Sequence, residues 1–174
     1  SKRRYKEKLR LRAYGIPKAG QEVYLEIKKK FCGLVNKRRT ALKLEEAYSF
    51  VNTGIAPELR EYMNRQVINE IEYVLNMYRL EPRLYLAYDR KAMFSRENRD
   101  LRITFDTNIR TRRYDLRLES GDYGESLLQS GQWIMEVKAE KSIPVWLSRL
   151  LSDNMLFTSS FSKYGKEHQK TLIR

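Results

Sequence analysis

Between Lys6 and Ala13 the basic residues Lys6, Lys8, Arg10 and Arg12 hold the even positions, while Leu9, Leu11 and Ala13 follow at the odd ones. Successive side chains of a strand point to opposite faces, so this spacing predicts a strand with one basic and one apolar face. The stretch lies in the basic part of the chain. Residues 1–43 carry 15 Lys and Arg against 3 acids, or +12 of a total formal charge of +13. A basic block of this kind is commonly a disordered arm, but alternation with leucine argues for folded structure. Hydrophobic residues make up 41% of the 174, enough to bury a core.

The same period recurs. Gly15 to Gly20 is turn chemistry, and in Glu22–Phe31 the residues Val23, Leu25 and Ile27 share a face opposite Glu22, Tyr24, Glu26 and Lys28. This is a second strand and the hairpin partner of the first. Gly33 precedes a third strand over Leu34–Leu44, which carries Asn36-Lys37-Arg38-Arg39-Thr40 without a clean phase. A short helix is expected over Leu44–Val51. Pro57 then opens a long one, Glu58–Arg79, whose stripe of Leu59, Met63, Val67, Ile71, Val74, Leu75 and Tyr78 is core. Past Pro82, Arg83–Phe94, the run Leu101-Ile103-Phe105, the run Tyr114-Leu116-Leu118 and the run Trp133-Met135-Val137-Ala139 read as strands. Ser142 is expected to cap a helix from Pro144 to Leu151. Phe161–Gly165 closes a single domain, 1–174, ahead of a polar tail that leaves His168 solvent-exposed.

Several chemistries drop out. Cys32 is the single cysteine and His168 the single histidine, so there is no internal disulfide, no zinc set and no Cys-His nucleophile pair. No apolar run reaches membrane-spanning length and the N-terminus lacks a signal-peptide stretch, so a soluble cytoplasmic chain without membrane insertion is expected. Phosphate-binding glycine loops are absent too.

What remains is the meaning of the charged strand faces, on which Arg10, Arg12, Lys28, Arg102, Glu136 and Lys138 lie. Flat and solvated, they would be plain surface. Curled by strand twist, seven or so strands would turn them toward one another inside a barrel, with helices over the apolar outer face. Two like charges about 6 Å apart repel by roughly 3 kcal/mol at an effective dielectric of about 20, so such an interior calls for a polyanion. Arginine pairs bidentately with phosphate oxygens, and a carboxylate among the cations suits Mg²⁺ or Mn²⁺, with Glu136 the best placed. No aromatic platform is interleaved on these faces, which disfavours nucleic acid. Arg90 beside Asp89 also reads as a simple salt bridge, Lys163 as a loop charge, and Arg112-Arg113 as surface charge.

Six strings carry a resemblance: Lys8-Leu9-Arg10-Leu11-Arg12-Ala13-Tyr14-Gly15, Leu25-Glu26-Ile27-Lys28, Tyr88-Asp89-Arg90, Leu101-Arg102-Ile103-Thr104-Phe105-Asp106, Met135-Glu136-Val137-Lys138 and Phe161-Ser162-Lys163-Tyr164. In that order they resemble the VTC domain, the polyphosphate polymerase branch of the triphosphate tunnel metalloenzymes, related to the CYTH group. The resemblance implies an α+β fold with an antiparallel tunnel barrel of charged interior. It also implies that Arg10, Arg12, Lys28, Arg90, Arg102 and Lys163 are phosphate ligands at the reacting centre, and that Lys138 and, by a shorter match, Lys37 bind substrate. Glu136 would be the ligand of Mn²⁺ or Mg²⁺. The implied reaction moves the γ-phosphate of ATP onto a growing inorganic polyphosphate and releases ADP. A triphosphatase in the same tunnel, and a non-catalytic binder of polyphosphate, inositol phosphates or nucleic acid, are the alternatives. Nothing resembling the family's first strands precedes Lys8, so an N-terminally truncated barrel is expected, with a second chain as a possible partner completing it.

Overall fold

The computed structural model describes residues 5–96 and 100–172, the side chains of His168 and of 170–172 excepted, so the expectation for His168 lies outside the described residues. It is an α+β structure with antiparallel sheets, gathered into two compact units: Ser1–Arg83 with Asp115–Gly121, and Leu84–Tyr114 with Asp122–Arg174. Among the described residues no helix is long and apolar enough to cross a membrane.

The first unit is built on three strands, β1 (Tyr5–Arg12), β2 (Glu22–Phe31) and β3 (Leu34–Lys43), paired antiparallel in that order. Cys32 and Gly33, both at positive φ (46° and 90°), make the two-residue turn between β2 and β3. The alternation read from sequence holds: Val23, Leu25 and Ile27 are at most 2% exposed, on the face that also carries Leu9, Leu11 and Leu42. Against them pack two helices, α1 (Leu44–Thr53) through Leu44, Ala47 and Phe50, and α2 (Arg65–Met77) through Val67, Ile68, Ile71 and Val74. α1 ends on Gly54 at φ 70°, a left-handed cap that glycine adopts without a Cβ penalty.

The second helix is shorter than its apolar stripe predicts. Asn64 starts it: the Asn64 side chain accepts a hydrogen bond from Val67 N at 3.2 Å, and the Asn64 N–H donates to the buried Thr40 hydroxyl at 2.8 Å. These bonds fix the entry one turn after Arg60, so Leu59 lies outside the helix, 39% exposed, while Met63 reaches the core from the preceding turn. Tyr78, which ends the helix at the other side, is 46% exposed and is not core.

The second unit contains β4 (Tyr85–Phe94), β5 (Arg102–Arg112), the two-residue β6 (Glu125–Ser126) and β7 (Ile134–Lys138), all antiparallel, with β5 central. Two helices follow, α3 (Val145–Asp153) and α4 (Lys163–Leu172). Several expectations change here. Pro144, not Ser142, occupies the cap position of α3, and it makes no side-chain cap bond. The tail after Phe161 is helical. The run Tyr114-Leu116-Leu118 is not a strand, because Asp115 sits at φ 45° and breaks the extended backbone; the chain passes instead into a 3₁₀ turn at Leu118–Ser120. That turn belongs to the first unit, where Tyr48 of α1 donates to Glu119 at 2.7 Å and accepts from Leu118 N at 2.8 Å. Burial and the Glu119 bond push the Tyr48 hydroxyl pKa up to about 12.

In the first unit helices cover the apolar strand face around Val23, Leu25 and Ile27, whereas Tyr5, Phe31 and Leu34 at its far end stay exposed; coverage in the second unit is partial. Ile103 and Phe105 of β5 are half-buried, whereas the polar residues between and beyond them, Thr104 and Asp106, are 3% and 1% exposed. Replacing Thr40 by valine keeps the shape and removes the acceptor that starts α2. We expect a loss of about 1–3 kcal/mol, the cost of a buried N–H left unsatisfied, read as a lower urea midpoint at unchanged slope.

Candidate phosphate-binding faces

Register places the basic residues of the first unit in rows. Lys8 pairs with Lys28 and Lys28 with Lys37, so three lysines stand side by side across the three strands. The next row is Arg10, Glu26 and Arg39, and Arg12 follows opposite Tyr24. Like charges directly opposite one another destabilise a sheet. Lys8 records this: burial first, then the charges of Lys28, Lys6 and Arg10, push its pKa below that of an ordinary lysine.

Glu26 sits at the middle of these rows and is 2% exposed. Its Oε2 accepts from Arg10 Nε at 2.9 Å and from Arg10 Nη2; its Oε1 is 3.5 Å from Lys37 Nζ and 3.8 Å from Arg12 Nε. Burial alone would raise the carboxyl pKa. The Arg10 bonds and the surrounding positive charge outweigh burial and hold it below the usual carboxylate range.

In the second unit a second buried carboxylate plays the same part. Asp106 accepts from Arg90 Nε at 2.6 Å and Nη2 at 2.7 Å, one bond to each oxygen, and from Lys163 Nζ at 2.5 Å. Arg90 is thus paired with Asp106 rather than with Asp89, which is held by Asn108 and Arg110. Burial opposes the charge on Asp106, and the bonds from Arg90 and Lys163 overcome it, leaving its pKa lowered. Around this pair, Arg102 stands opposite Lys138, and Thr104 opposite Glu136. Glu136 is half-exposed, 3.3 Å from Lys138 and 4.0 Å from Arg90. The expected site residues therefore fall into two clusters: Arg10, Arg12, Lys28 and Lys37 in the first unit, and Arg90, Arg102, Glu136, Lys138 and Lys163 in the second.

Among the described residues, three buried side-chain atoms lack a hydrogen-bond partner: Glu26 Oε1, Arg102 Nε and Thr104 Oγ1. All three belong to these two charged faces, where an unmet buried polar atom costs stability. A cavity of ≈ 440 Å³ beside α1, along Ser49, Phe50 and Thr53, is lined by no lysine or arginine.

The faces do carry aromatic rings, against expectation. Arg39 lies over Tyr24 at 4.9 Å, Arg102 over Phe94 at 5.2 Å, and Arg90 and Lys163 over Tyr88 at 5.1 and 4.7 Å. Each of these rings has a cation over it, which it helps to hold, and Phe94 is 61% exposed. Arg112 also departs from expectation. It is 3% exposed and stacked on Tyr85 at 3.6 Å and Tyr123 at 4.3 Å, while its neighbour Arg113 bonds both oxygens of Glu167.

Sequence reasoning assigned no role to Asp106, and it placed Glu26 on the charged face of its strand only as one of too few acids to balance the cations. The signal was present in each string, as an acid at the same strand parity as the cations. Because the folded pKa of Asp106 lies below its unfolded value, its stabilisation is full above the ordinary carboxylate range and is lost as pH falls through the lower folded value. Asp106→Asn should cost about 1.5–3 kcal/mol at neutral pH, the range for hydrogen bonds to charged groups. It should also flatten the fall of melting temperature with acid below about pH 4.

No curated protein matches the chain. A protein-family comparison matches residues 1–172, nearly the whole sequence, to the VTC domain. A strand order of alternating cations, two sheets whose charged faces hold buried carboxylates, and this end-to-end match agree: the chain belongs to the VTC domain family.

Proposed function

We propose that this protein is a polyphosphate polymerase that transfers the γ-phosphate of ATP to the end of an inorganic polyphosphate. The observation that carries the reading is the lysine row Lys8-Lys28-Lys37 beside Arg10 and Arg12, a concentration of like charge whose natural complement is a polyphosphate. Membership in the VTC domain family, which is associated with polyphosphate phosphotransfer, supports it. The tunnel barrel that the resemblance implies belongs to the same proposal.

In this reaction a terminal oxygen of the polymer forms a P–O bond to the γ-phosphorus while the bridging bond to the β-phosphate breaks, and ADP leaves. No protein nucleophile is needed. Catalysis of this kind is positioning and charge stabilisation, for which Arg10, Arg12, Lys28, Lys37, Arg90, Arg102, Lys138 and Lys163 are the assigned groups. Asp106 holds Arg90 in place through Nε and Nη2, so a phosphate would meet the remaining N–H groups of this guanidinium.

Among the described residues no three His, Cys, Asp or Glu side chains stand together as a metal site. The half-exposed Glu136 nevertheless fits Mg²⁺ or Mn²⁺, hard cations that a protein commonly holds through one carboxylate together with substrate phosphates. Such an ion would neutralise charge on the phosphoryl group. Water in place of the polymer end would make the protein a triphosphatase.

The test follows γ-labelled ATP with Mn²⁺ or Mg²⁺ and the full chain, with products resolved on a gel. A ladder of long polymer with matching ADP is expected. Arg10→Ala and Glu136→Ala should each reduce it by about 10²-fold or more, the scale for removing one charge-stabilising group. Free phosphate without a ladder would identify the triphosphatase, and wild-type turnover in both variants would refute the site.

A further inference from the structure

We infer that the ion pair between Arg113 and Glu167 positions Lys163: it pins α4 to the second unit's sheet one turn beyond Lys163, and so holds the Lys163 ammonium on the charged face. That this placement serves phosphate rests on the proposed function. Arg90, Arg102 and Lys138 are carried by β4, β5 and β7, where ladder hydrogen bonds fix the backbone beneath them. Lys163 instead begins a helix. Ser162 starts that helix, its hydroxyl accepting from Gly165 N at 3.2 Å and its carbonyl from Lys166 N at 2.8 Å, so Lys163 moves with α4.

Charge is what places α4. Among its described side chains Glu167 is the buried one, at 6% exposure, while Tyr164, Lys166 and Gln169 are exposed. A helix is ordinarily seated by an apolar stripe, and here the inward-facing group is a carboxylate. Its two oxygens accept from Arg113 Nε and Nη2, each at 2.8 Å, a fork-on-fork geometry that fixes direction as well as distance. Arg113 directly follows β5, so the pair ties the helix to the central strand of its sheet.

One such contact would let the helix swivel, and two define its line. Lys163 Nζ donates to Asp106 of β5 at 2.5 Å, and Glu167, one helical turn on, is held at the end of the same strand. The Lys163 bond alone is a weak tether, because Asp106 keeps both of its Arg90 bonds when Lys163 departs. Glu167 therefore acts on phosphate through Lys163, and it is a positioning residue.

The experiment applies two readouts to the full chain without metal: amine-reactive labelling of Lys163 relative to the exposed Lys166, followed by mass spectrometry, and calorimetric titration with tripolyphosphate. Glu167→Gln keeps the shape but leaves one acceptor oxygen and no charge. Lys163 should label several-fold faster in it, and tripolyphosphate should bind roughly tenfold more weakly, the order of one charge-assisted hydrogen bond. The sign is diagnostic. By charge alone, removing this acid would tighten a polyanion and removing Arg113 would weaken it, whereas loss of position makes both Glu167→Gln and Arg113→Gln weaken binding. In the Lys163→Ala background Glu167→Gln should no longer weaken it, because two residues that act through one contact do not add. Arg113→Gln tests the same pair from the strand side if Glu167→Gln does not fold.

Unchanged labelling of Lys163 in both variants, tighter tripolyphosphate binding in folded Glu167→Gln, or an equal loss in the Lys163→Ala background would overturn the inference while leaving the proposed function intact. Wild-type protein that binds no tripolyphosphate would overturn the proposed function, and the labelling would still decide whether the pair places Lys163.

Discussion

Much of this structure follows from the difficulty of placing cations side by side on a sheet. Strand pairing sets neighbouring side chains about 5 Å apart, which brings Lys8, Lys28 and Lys37 together whatever else the sequence specifies. Each unit answers with one acid at the centre of its charged face. Glu26 gathers Arg10, Arg12 and Lys37, and Asp106 gathers Arg90 and Lys163. A single carboxylate cannot neutralise two or three cations, so net positive charge remains. That remaining charge is what the proposed phosphate chain would meet.

This balance also accounts for the unusual distribution of burial. Polar residues ordinarily lie on the open face of an antiparallel sheet, with the apolar face inside. Here the deepest residues of β5 include Thr104 and Asp106, and Glu26 is as buried as the leucine beside it. Low local dielectric strengthens every contact these groups make and makes each unmet one costly. The orphaned atoms Arg102 Nε and Thr104 Oγ1 are costs of that kind, concentrated on the faces that the reaction would use.

The first two strands and their facing were legible in sequence because a period of two is a local property, visible in Val23, Leu25 and Ile27 without knowledge of any partner. Features that depend on distant residues were not. The start of α2 is set by the Asn64 cap, a local signal, together with a hydrogen bond to Thr40, 24 residues earlier, that no local pattern announces. Tyr114-Leu116-Leu118 alternates as well as any strand but is broken by the backbone of Asp115 and drawn toward Tyr48. At the site, the cations were legible and their organisers were not, since an acid in a basic strand signals its importance only once the register shows which residues surround it.

The seven residues Asp115–Gly121 have a consequence for dissecting this protein. They leave one unit in mid-sequence, supply Leu118 and Glu119 to the other, and return. Each unit is consequently assembled from two separate stretches of chain, and no single cut yields either one whole. A fragment ending at Arg83 would keep all three strands and both helices of its unit yet leave the Tyr48 hydroxyl without its partners. The boundary that matters for engineering is topological, and it runs through a loop that looks dispensable.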